Sequence, residues 1–592
     1  MAANPIHTFH IPVMGLAFTI DSPIRVAHYG ISSVISIMDD DLIEKMNVFY
    51  SKKYGYEHQE INLGSHDHRA KRITSYLDLV QKIISKNFES FKSEILSSAA
   101  AMERFIAMLP SKSVFTEGLA SVREKGTSIQ VAEYVEKYFA PGDADVNIMT
   151  KVDRDNFDKA GPMPVIFNDA HAALRGFANS RLNSSVVFSA GMHPRLYSYL
   201  EEFADFFPDQ NSNLAKRIII KVSDFRSAQV QGLFLAKKGL WVSEFRIESG
   251  LNCGGHAFAT DGHLLGPILD EFNQKKHELA QSMHVLLTQA LSRKEFPVPV
   301  RVLPLRISVQ GGVGTADEHD FLLSHYKVDS VGWGSPFLLV PEATSVDEFT
   351  RRLLQDAGED DLYISDISPL GVPFNTVRGT SAENVLNTRV ANEKPGSSCP
   401  KKYLALNKEY GAEGICTASS KYQKRKIAAI DPAATPEQKR EAEARITQKA
   451  CLCVGLSNAA LLEQDIKIKG DRSVVVCPGP NIAYFNGQYS LNQMAAHIYG
   501  GSSLLEGVRR PHMFIKELKM YVDHLAGLVK NQGIIQSKAA SKIKENILEG
   551  ITYYESLLLR FPHLRDKPEA DVSNLSALVE KVRDDTMAKQ LF

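Results

Sequence analysis

The chain has 592 residues, of which 44% are hydrophobic and 23% are charged, and its formal net charge is -1. This composition is typical of a folded globular protein, and at roughly 100–250 residues per domain it predicts two or more domains. Because positive and negative charges are interspersed, neither a nucleic acid nor a membrane is expected as a partner.

Targeting signals and membrane spans are not evident in the sequence. The N-terminus lacks a charged segment followed by an apolar core and a cleavage site, and no stretch approaches the ~20 apolar residues of a membrane helix. Six cysteines are few for this length, which favours thiols or ligands over structural disulfides. We therefore expect a soluble cytoplasmic protein.

The first forty residues predict a parallel βαβ unit. Residues 7–18 form an extended apolar run, and Asp21 then stands as a helix cap before Pro23. Gly30 ends this helix, and a second apolar strand occupies residues 31–38. Strand, helix and strand at this spacing indicate a parallel crossover.

Residues 40–140 interrupt this rhythm with a helical pattern. Apolar residues recur three or four positions apart and mark one face of an amphipathic helix, namely Ile73, Leu77, Val80, Ile84, Phe88 and Phe91. We interpret this stretch as a helical insertion between the second and third strands.

Six further candidate strands follow, with helical patterns between them. They occupy residues 145–152, 184–191, 217–224, 240–248, 300–310 and 329–338. Eight strands with intervening helices predict an α/β protein with a closed (β/α)8 TIM barrel. An open doubly wound sheet is the alternative, but the sequence lacks the early G-x-G-x-x-G turn of a Rossmann domain.

Beyond residue 345 the pattern becomes mixed and then mainly helical. Thr435, followed by Pro436 and Gln438, predicts the start of a charged helix. The predicted regions are a barrel domain at 1–345, a cysteine-containing region at 346–490 and a helical C-terminal region at 491–592.

Two glycine-rich turns follow the seventh and eighth predicted strands. The first reads GGVGT at 311–315, and the second reads GWGS at 332–335. Glycine lets the backbone approach an anion, and a helix N-terminus adds N–H donors, so this pair matches the phosphate site typical of barrels. Plain tight turns are the alternative. The predicted phosphate-binding residues are Gly311, Gly312, Gly332, Gly334 and Ser335.

The loop after the sixth strand reads ESGLNCGGH at 248–256. In a barrel this loop lies at the C-terminal face, where active sites form. Gly254 and Gly255 would let the backbone pack against a flat ring, and His256 could donate a hydrogen bond or act as an acid or base near neutral pH. The alternative is a structural histidine that caps a turn.

These motifs resemble the nitronate monooxygenase (2-nitropropane dioxygenase-like) family, whose members are FMN-dependent barrels. The family's Q-G-x-E-A-G-G-H loop is matched at Gly250, Gly254, Gly255 and His256. The sequence departs from it in three places: Ser249, Asn252 and Cys253 stand where the family has glutamine, glutamate and alanine. These departures place nitronate oxidation itself in question.

Two other segments carry the same resemblance. IPVMGLAF at 11–18 resembles the family's first strand, and Asn147 lies in a segment that resembles the third strand. The resemblance therefore implies that FMN contacts Met14, Gly15, Leu16, Ala17 and Asn147, together with the two glycine turns, including their Val313 and Trp333.

A second resemblance is to the flavin enoyl-reductase component of bacterial polyunsaturated fatty acid synthases. Its AKVS, DSGGH, GGIGTP and TGS…EA..S motifs are similar to IKVS at 220–223, CGGH at 253–256, GGVGTA at 311–316 and the segment 334–345. Together the resemblances cover roughly residues 7–375 outside the insertion. They imply FMN and hydride chemistry on an activated substrate.

The leading hypothesis is an FMN-dependent oxidoreductase, either a reductase or a monooxygenase, with NAD(P)H as a candidate electron donor. His256 would face the reacting edge of the flavin, and Lys221 would stabilise a reduced, anionic ring. Lys221 could instead form an ion pair at a strand end. The candidate substrates are an enoyl thioester and a nitronate, and the departures at Ser249 and Asn252 favour the first.

The cysteines beyond the barrel suggest a metal. Four thiolates suit zinc or an iron–sulfur cluster, which would provide an electron path to FMN. However, the sequence contains no C-x2-C pair, and buried thiols are the alternative. The candidate ligands are Cys399, Cys416, Cys451 and Cys453, with Cys477 as a substitute.

Two other classes of function fit the same sequence. A non-redox barrel, such as a lyase or isomerase, would use the glycine turns for a different phosphate ligand. A non-catalytic subunit of a biosynthetic complex would use the helical insertion and the helical tail as docking surfaces, and a homo-oligomer could use the same surfaces.

Overall fold

A computed structural model describes residues 5–189, 191–259, 261–532 and 538–561. Its central element is a closed barrel of eight parallel strands, which confirms the predicted TIM barrel. The strands are β1 (Phe9–Ile11), β2 (Ser32–Ser36), β3 (Ala144–Ile148), β4 (Ser185–Phe188), β5 (Arg217–Val222), β6 (Val242–Glu248), β7 (Arg306–Gln310) and β8 (Ser330–Gly332).

The barrel closes between β1 and β8, where Phe9 pairs with Val331 and His10 with Gly332. All eight predicted strands are present, and each is shorter than the predicted run. The clearest case is β7, where the run from residue 300 contains Pro304, which has no N–H to donate to a ladder. Two residues later the pairing with β6 begins at Arg306.

Helices occupy both the crossovers and the insertion. They are α1 (Ser22–Val26), α2 (Asp40–Tyr54), α3 (His68–Ser97), α4 (Ala99–Ile106), α5 (Val114–Lys125), α6 (Ser128–Tyr138), α7 (Asp169–Ala178), α8 (Pro194–Tyr199), α9 (Phe225–Ala236), α10 (Leu265–Arg293) and α11 (Ala316–Ser324). A short antiparallel ladder joins Phe157–Asp158 to Gly161–Pro162.

The insertion between β2 and β3 is helical, as predicted, and comprises α2 to α6. The predicted apolar face of α3 is buried from Ile73 to Phe88 and packs on α2 and α7. The far end of the insertion has its own hydrophobic cluster, which includes Phe105, Phe115 and Phe139. The insertion therefore extends the barrel on one side.

The helix start predicted after β1 is present, but the predicted capping bond is not. Asp21 precedes α1, and its side chain makes no cap hydrogen bond. The buried carboxylate instead accepts a hydrogen bond from Tyr50 Oη (2.6 Å) and pairs with Arg25 (2.9 Å). These tertiary contacts compete with the cap for the same two oxygens.

The region after the barrel combines one small sheet with mostly short helices. Strands β9 (Leu362–Ser365) and β10 (Phe374–Val377) pair antiparallel. The helices are α12 (Glu348–Asp356), α13 (Ser381–Ala391), α14 (Ser420–Ala428), α15 (Pro436–Thr447), α16 (Leu452–Gly455), α17 (Asn458–Glu463), α18 (Leu491–Ile498), α19 (Met513–Gln532) and α20 (Lys538–Arg560).

Two predictions for this region are confirmed. Helix α15 begins at Pro436 with a capping box between Thr435 and Gln438. The described residues after 491 are mainly helical, whereas residues 562–592 lie outside the described residues. In the described part of the chain, no helix is both long and apolar enough to cross a bilayer.

The C-terminal region packs directly on the barrel. One hydrophobic core continues from barrel residues such as Phe9 to Val475 and Phe485. The buried carboxylate of Asp39, at the start of α2, accepts hydrogen bonds from Lys401 Nζ and Ser457 Oγ, each at 2.5 Å. Burial alone would raise the pKa of Asp39, but Lys401 outweighs it, so the pKa is lowered and the carboxylate stays charged.

Candidate active site

A cavity of about 640 Å³ opens at the C-terminal ends of the barrel strands. Residues at or just after each of the eight strands line it, and so do residues of the C-terminal region such as Tyr403, Leu452 and Asn481. Its volume lies within the ~300–1,000 Å³ typical of small-molecule and cofactor sites. The cavity therefore lies at the face of the barrel where barrel enzymes have their active sites.

Most of the predicted site residues meet in this cavity. Those that line it are Met14, Gly15, Leu16, Asn147, Lys221, Gly254, Gly255, His256, Gly311, Gly312, Val313, Gly332, Gly334 and Ser335. Ala17 and Trp333 do not line it. The Ala17 amide donates to Leu456 O (3.1 Å), and the fully buried indole of Trp333 donates to His319 Nδ1 (3.2 Å).

The first glycine turn has a backbone that only glycine can adopt without strain. Gly311 and Gly312 have φ values of +120° and +82°. A Cβ on Gly312 would lie 2.1 Å from Asn252 Nδ2, so even alanine would collide with the neighbouring loop. Among the described residues, the N–H groups of Gly312 and Val313 have no protein acceptor. The turn therefore offers free donors at the cavity wall.

The second turn is adjacent to the first, because it follows β8, which pairs in parallel with β7. Gly334 and Ser335 follow β8, and the Ser335 hydroxyl accepts a hydrogen bond from Gly479 N (2.6 Å). Gly479 belongs to the C-terminal region and lies against Gly254, since a Cβ on Gly254 would be 2.9 Å from Gly479 N. Barrel and C-terminal region thus enclose this end of the cavity together.

The GGH loop presents one glycine to the cavity and packs the other. Gly255 has φ +80°, and a Cβ there would meet nothing within 4 Å. A Cβ on Gly254 would lie 2.5 Å from Cys477 O. The Gly255 peptide is held on both sides, because its N–H donates to Cys477 O and its carbonyl accepts from Asn375 N. Gly255 therefore leaves space for a flat ligand.

His256 is a buried, neutral imidazole. Its Nε2 shares a hydrogen bond with Ser368 Oγ (2.7 Å), and its ring contacts Phe374 edge-on (4.9 Å between centroids). Burial and then the nearby charge of Lys151 lower the pKa of His256 to about 4. The predicted hydrogen-bonding role is compatible with this state, whereas an imidazolium acid at neutral pH is not.

Lys221 forms an ion pair at the end of β5, as its alternative interpretation expected, and this pair lies inside the cavity. Its role beside a reduced flavin stays a prediction. Its ammonium lies 2.8 Å from Glu248 Oε1, which also accepts a hydrogen bond from Gln310 Nε2 (2.5 Å). All three side chains line the cavity at the ends of β5, β6 and β7. Sequence reasoning missed Glu248 and Gln310, although each stands directly before a loop that it singled out.

A buried carboxyl from α19 holds both ends of the loop after β6. Glu517 is 1% exposed and accepts hydrogen bonds from Ser249 Oγ (2.6 Å) and Leu265 N (2.8 Å). Burial raises the pKa of Glu517 to about 7, although these hydrogen bonds act to lower it. The signal for this residue was a charged side chain on an apolar helix face, between the buried Phe514 and Tyr521.

The three departures from the family loop have structural tasks. Ser249 bonds Glu517, and the Asn252 amide donates to Met513 O (3.2 Å). The Cys253 thiol lies 3.5 Å from Gln310 O, and burial raises its pKa. These positions connect the loop to β7 and to the C-terminal region.

The cysteines beyond the barrel do not form the predicted four-thiolate site. Cys399 and Cys416 are in hydrogen-bond contact, which lowers the pKa of Cys399 to about 7. Across the residues that the structure describes, no group of three or more His, Cys, Asp or Glu side chains is placed to hold a metal ion. Cys453 and Cys477 instead line the cavity.

No family model and no curated protein matches the chain. Among solved structures, FabK from Thermotoga maritima is 12% identical, with a TM-score of 0.35, over 88% of this chain and 96% of its own. The enoyl reductase domain of MlnA from the macrolactin biosynthesis cluster of Bacillus amyloliquefaciens is 14% identical, with a TM-score of 0.33, over 67% and 87%.

A nitroalkane oxidase from Streptomyces ansochromogenes is 11% identical, with a TM-score of 0.28, over 64% of this chain and 86% of its own. At these identities and TM-scores the similarities are distant, so the function has to be inferred from the site itself.

Proposed function

We propose that the protein is an FMN-dependent oxidoreductase that acts on an activated small substrate. The observation that carries this proposal is the pair of turns after β7 and β8, which open into one cavity with Lys221 and the GGH loop. The turn after β7 offers the amides of Gly312 and Val313 without a protein acceptor. Such amides before a helix N-terminus suit a phosphate.

The residues present fit FMN. Gly312, Val313, Gly334 and Ser335 would hold its phosphate, and the open space beside Gly255 would admit its flat ring. Met14, Gly15, Leu16 and Asn147 line the same cavity and would contact the ring or its chain. Bound FMN supplies hydride or electron transfer, which no side chain of the protein can perform.

The protein's own groups would orient and shield the reactants. Lys221 carries a positive charge in a largely enclosed site, where Glu248 holds its ammonium in place. Such a charge favours a ligand that becomes anionic. His256 is neutral and hydrogen-bonded to Ser368. It can therefore orient a substrate oxygen by a hydrogen bond, but it does not act as an imidazolium acid.

The rest of the cavity wall favours an enoyl thioester over a small polar nitronate. Its apolar lining suits an acyl chain, and thioether side chains adapt to varied shapes. The apolar residues at this wall are Met14, Met149, Met192, Val222, Val230, Leu338, Leu452 and Leu456. NAD(P)H is the proposed electron donor, and six unpaired thiols fit a cytoplasmic location.

An absorption spectrum of the purified protein, before and after incubation with FMN, tests the cofactor. We expect a bound flavin that is released as FMN on denaturation. A protein that binds no flavin after incubation would overturn the proposal and favour a non-redox barrel for another phosphate ligand. Iron and zinc analysis of the same sample tests the cysteines.

Stopped-flow oxidation tests the substrate class. The flavin is reduced anaerobically with NADPH or NADH and then mixed with crotonyl-coenzyme A, and in a separate experiment the oxidised enzyme is mixed anaerobically with a simple alkyl nitronate. We expect reoxidation of the reduced flavin by the thioester, and His256→Ala should keep the flavin but lose turnover. Reduction of the oxidised flavin by the nitronate, without reoxidation by the thioester, would move the assignment to nitronate oxidation.

A further inference from the structure

Arg510 lies directly behind the glycine turn after β7. It comes from the segment between α18 and α19 and is only 5% exposed. Its guanidinium donates to Gly312 O, to Glu318 Oε1 (2.7 Å) and to Asn481 Oδ1 (2.7 Å). Each of its three nitrogens donates a hydrogen bond within the protein, and Arg510 is not among the residues that line the cavity.

The partners of Arg510 hold the remaining polar groups of the turn. Glu318, at the start of α11, accepts a hydrogen bond from Gly314 N (2.8 Å), and Asn481 donates to Val313 O (2.6 Å). Burial alone would raise the pKa of Glu318, but Arg510 outweighs it, so the pKa is lowered and the ion pair persists. The carbonyls of Gly312 and Val313 and the N–H of Gly314 are thus all fixed.

The N–H groups of Gly311, Gly312 and Val313 have no protein acceptor among the described residues, and all three residues line the cavity. The Val313 N–H shares a peptide plane with the Gly312 carbonyl, so the hydrogen bond from Arg510 to that carbonyl fixes the direction of this donor. Because Arg510 is paired with Glu318 at 2.7 Å, its net electrostatic effect on an anion is small. Its contribution is geometric.

We propose that Arg510 is a positioning residue for the phosphate of the bound flavin. The C-terminal region, through Arg510, orders the Val313 amide with which the barrel binds that phosphate. This inference rests on the proposed function, since it assumes that the phosphate of FMN occupies the turn. It predicts a defect that depends on the phosphate and not on the ring.

Flavin titration of Arg510→Met tests this inference, with FMN and riboflavin as the two probes. Riboflavin lacks the phosphate and has the same ring. Misdirecting one charge-assisted hydrogen bond should weaken FMN binding about 10- to 100-fold, while the riboflavin affinity changes less than about threefold. Arg510→Lys should give an intermediate loss for FMN, because an ammonium cannot reach all three acceptors in a fixed fork.

Arg351→Met is the matched control. Arg351 is also buried, at 8% exposure, and donates to Val346 O and to Glu463 (3.2 Å), away from the cavity. This variant should lower the melting temperature and leave the ratio of FMN to riboflavin affinity unchanged. It separates a general loss of packing from a specific effect on the phosphate.

The outcomes are distinguishable. An unchanged FMN-to-riboflavin ratio in Arg510→Met, or an equal loss for both ligands, overturns the inference and leaves the flavin enzyme standing. If Arg510→Met does not fold, a wild-type ratio in Arg510→Lys has the same meaning. A wild-type protein that binds FMN no better than riboflavin also overturns it, whereas one that binds neither overturns the proposed function.

Discussion

In the barrel, short parallel strands place eight loops at one face. The described residues from 346 to 561 instead form one two-stranded sheet and mostly short helices. Both line the same cavity. The barrel supplies the backbone turns, and the C-terminal region holds them with side chains such as Arg510, Asn481 and Glu517. A backbone ladder can place a loop, but a loop's internal conformation needs contacts of its own.

The same division explains how the two regions stay together. The two regions share one continuous hydrophobic core. Buried hydrogen bonds at a few points fix the orientation of one region relative to the other. Asp39 is one such point, since it bonds Lys401 and Ser457 from a position just after β2. Each contact of this kind should contribute strongly to the stability of the folded protein, because breaking it leaves a buried charge without its partner.

The largest effect is expected for Asp39→Ala. The change leaves the buried Lys401 ammonium without its main partner, so the free energy of unfolding should fall by about 3–5 kcal/mol. Urea denaturation measures this loss. Glu348→Ala is the control, because Glu348 is exposed and its ion pair with Arg352 should contribute less than about 1 kcal/mol. Equal losses in the two variants would contradict a buried docking contact at Asp39.

The next effect is a pH dependence that comes from Glu517. Its folded pKa of about 7 lies above the value of 4.5 expected for an unfolded chain. Between these values the folded protein binds a proton that the unfolded chain does not, so stability falls as pH rises through this window. The change approaches about 3 kcal/mol. Glu517→Gln removes it.

Thermal or urea unfolding at pH 5 and pH 8 checks this expectation. Relative to wild type, Glu517→Gln should gain about 3 kcal/mol in stability on going from pH 5 to pH 8. The control Glu549→Gln changes an exposed carboxyl on α20 and should behave like wild type at both pH values. A constant difference between Glu517→Gln and wild type would show that Glu517 does not titrate on folding.

A smaller effect distinguishes two glycines with the same backbone. Gly312 and Gly255 have φ values of +82° and +80°, so alanine costs each about 1–2 kcal/mol of strain. Only Gly312→Ala also collides with Asn252. Without flavin, its free energy of unfolding should be lower than that of Gly255→Ala by about 1–3 kcal/mol, which is the cost of overpacking. Its melting temperature should be lower accordingly. Equal melting temperatures would indicate that Asn252 moves aside freely.

The smallest effect is expected at the cysteines of the C-terminal region. Cys451→Ser should change stability by less than about 1.5 kcal/mol, because its side chain packs against the shared core and contacts Ser397 by a hydrogen bond that a hydroxyl can also make. Treatment with a metal chelator should leave the melting temperature unchanged. Loss of stoichiometric iron or zinc together with stability would instead restore the cluster hypothesis.

Much of the barrel was predictable because its signals are local. Apolar runs of β-branched residues mark β4 and β5, and the three- and four-residue spacing marks α3. Both glycine turns were recognisable, since a left-handed backbone and a close approach select glycine at one position. Strand ends were less predictable, because pairing stops where the neighbouring strand stops.

Within the site, the sequence by itself indicated which loops line the cavity, at 254–256, 311–313 and 334–335. It did not determine that Trp333 would turn away from the cavity toward His319, or that Glu248 and Gln310 would meet Lys221 there. It also left the four cysteines as a metal site that their arrangement does not form.

Only the tertiary structure decided what holds these loops. Arg510 reaches Gly312 from 198 positions along the chain, and Glu517 reaches Ser249 from 268 positions. No spacing rule of a helix or strand relates residues so far apart, because such contacts depend on how the whole chain packs. Local periodicity encodes the elements and their turns, whereas burial of a shared core brings distant side chains to the backbone groups that they fix.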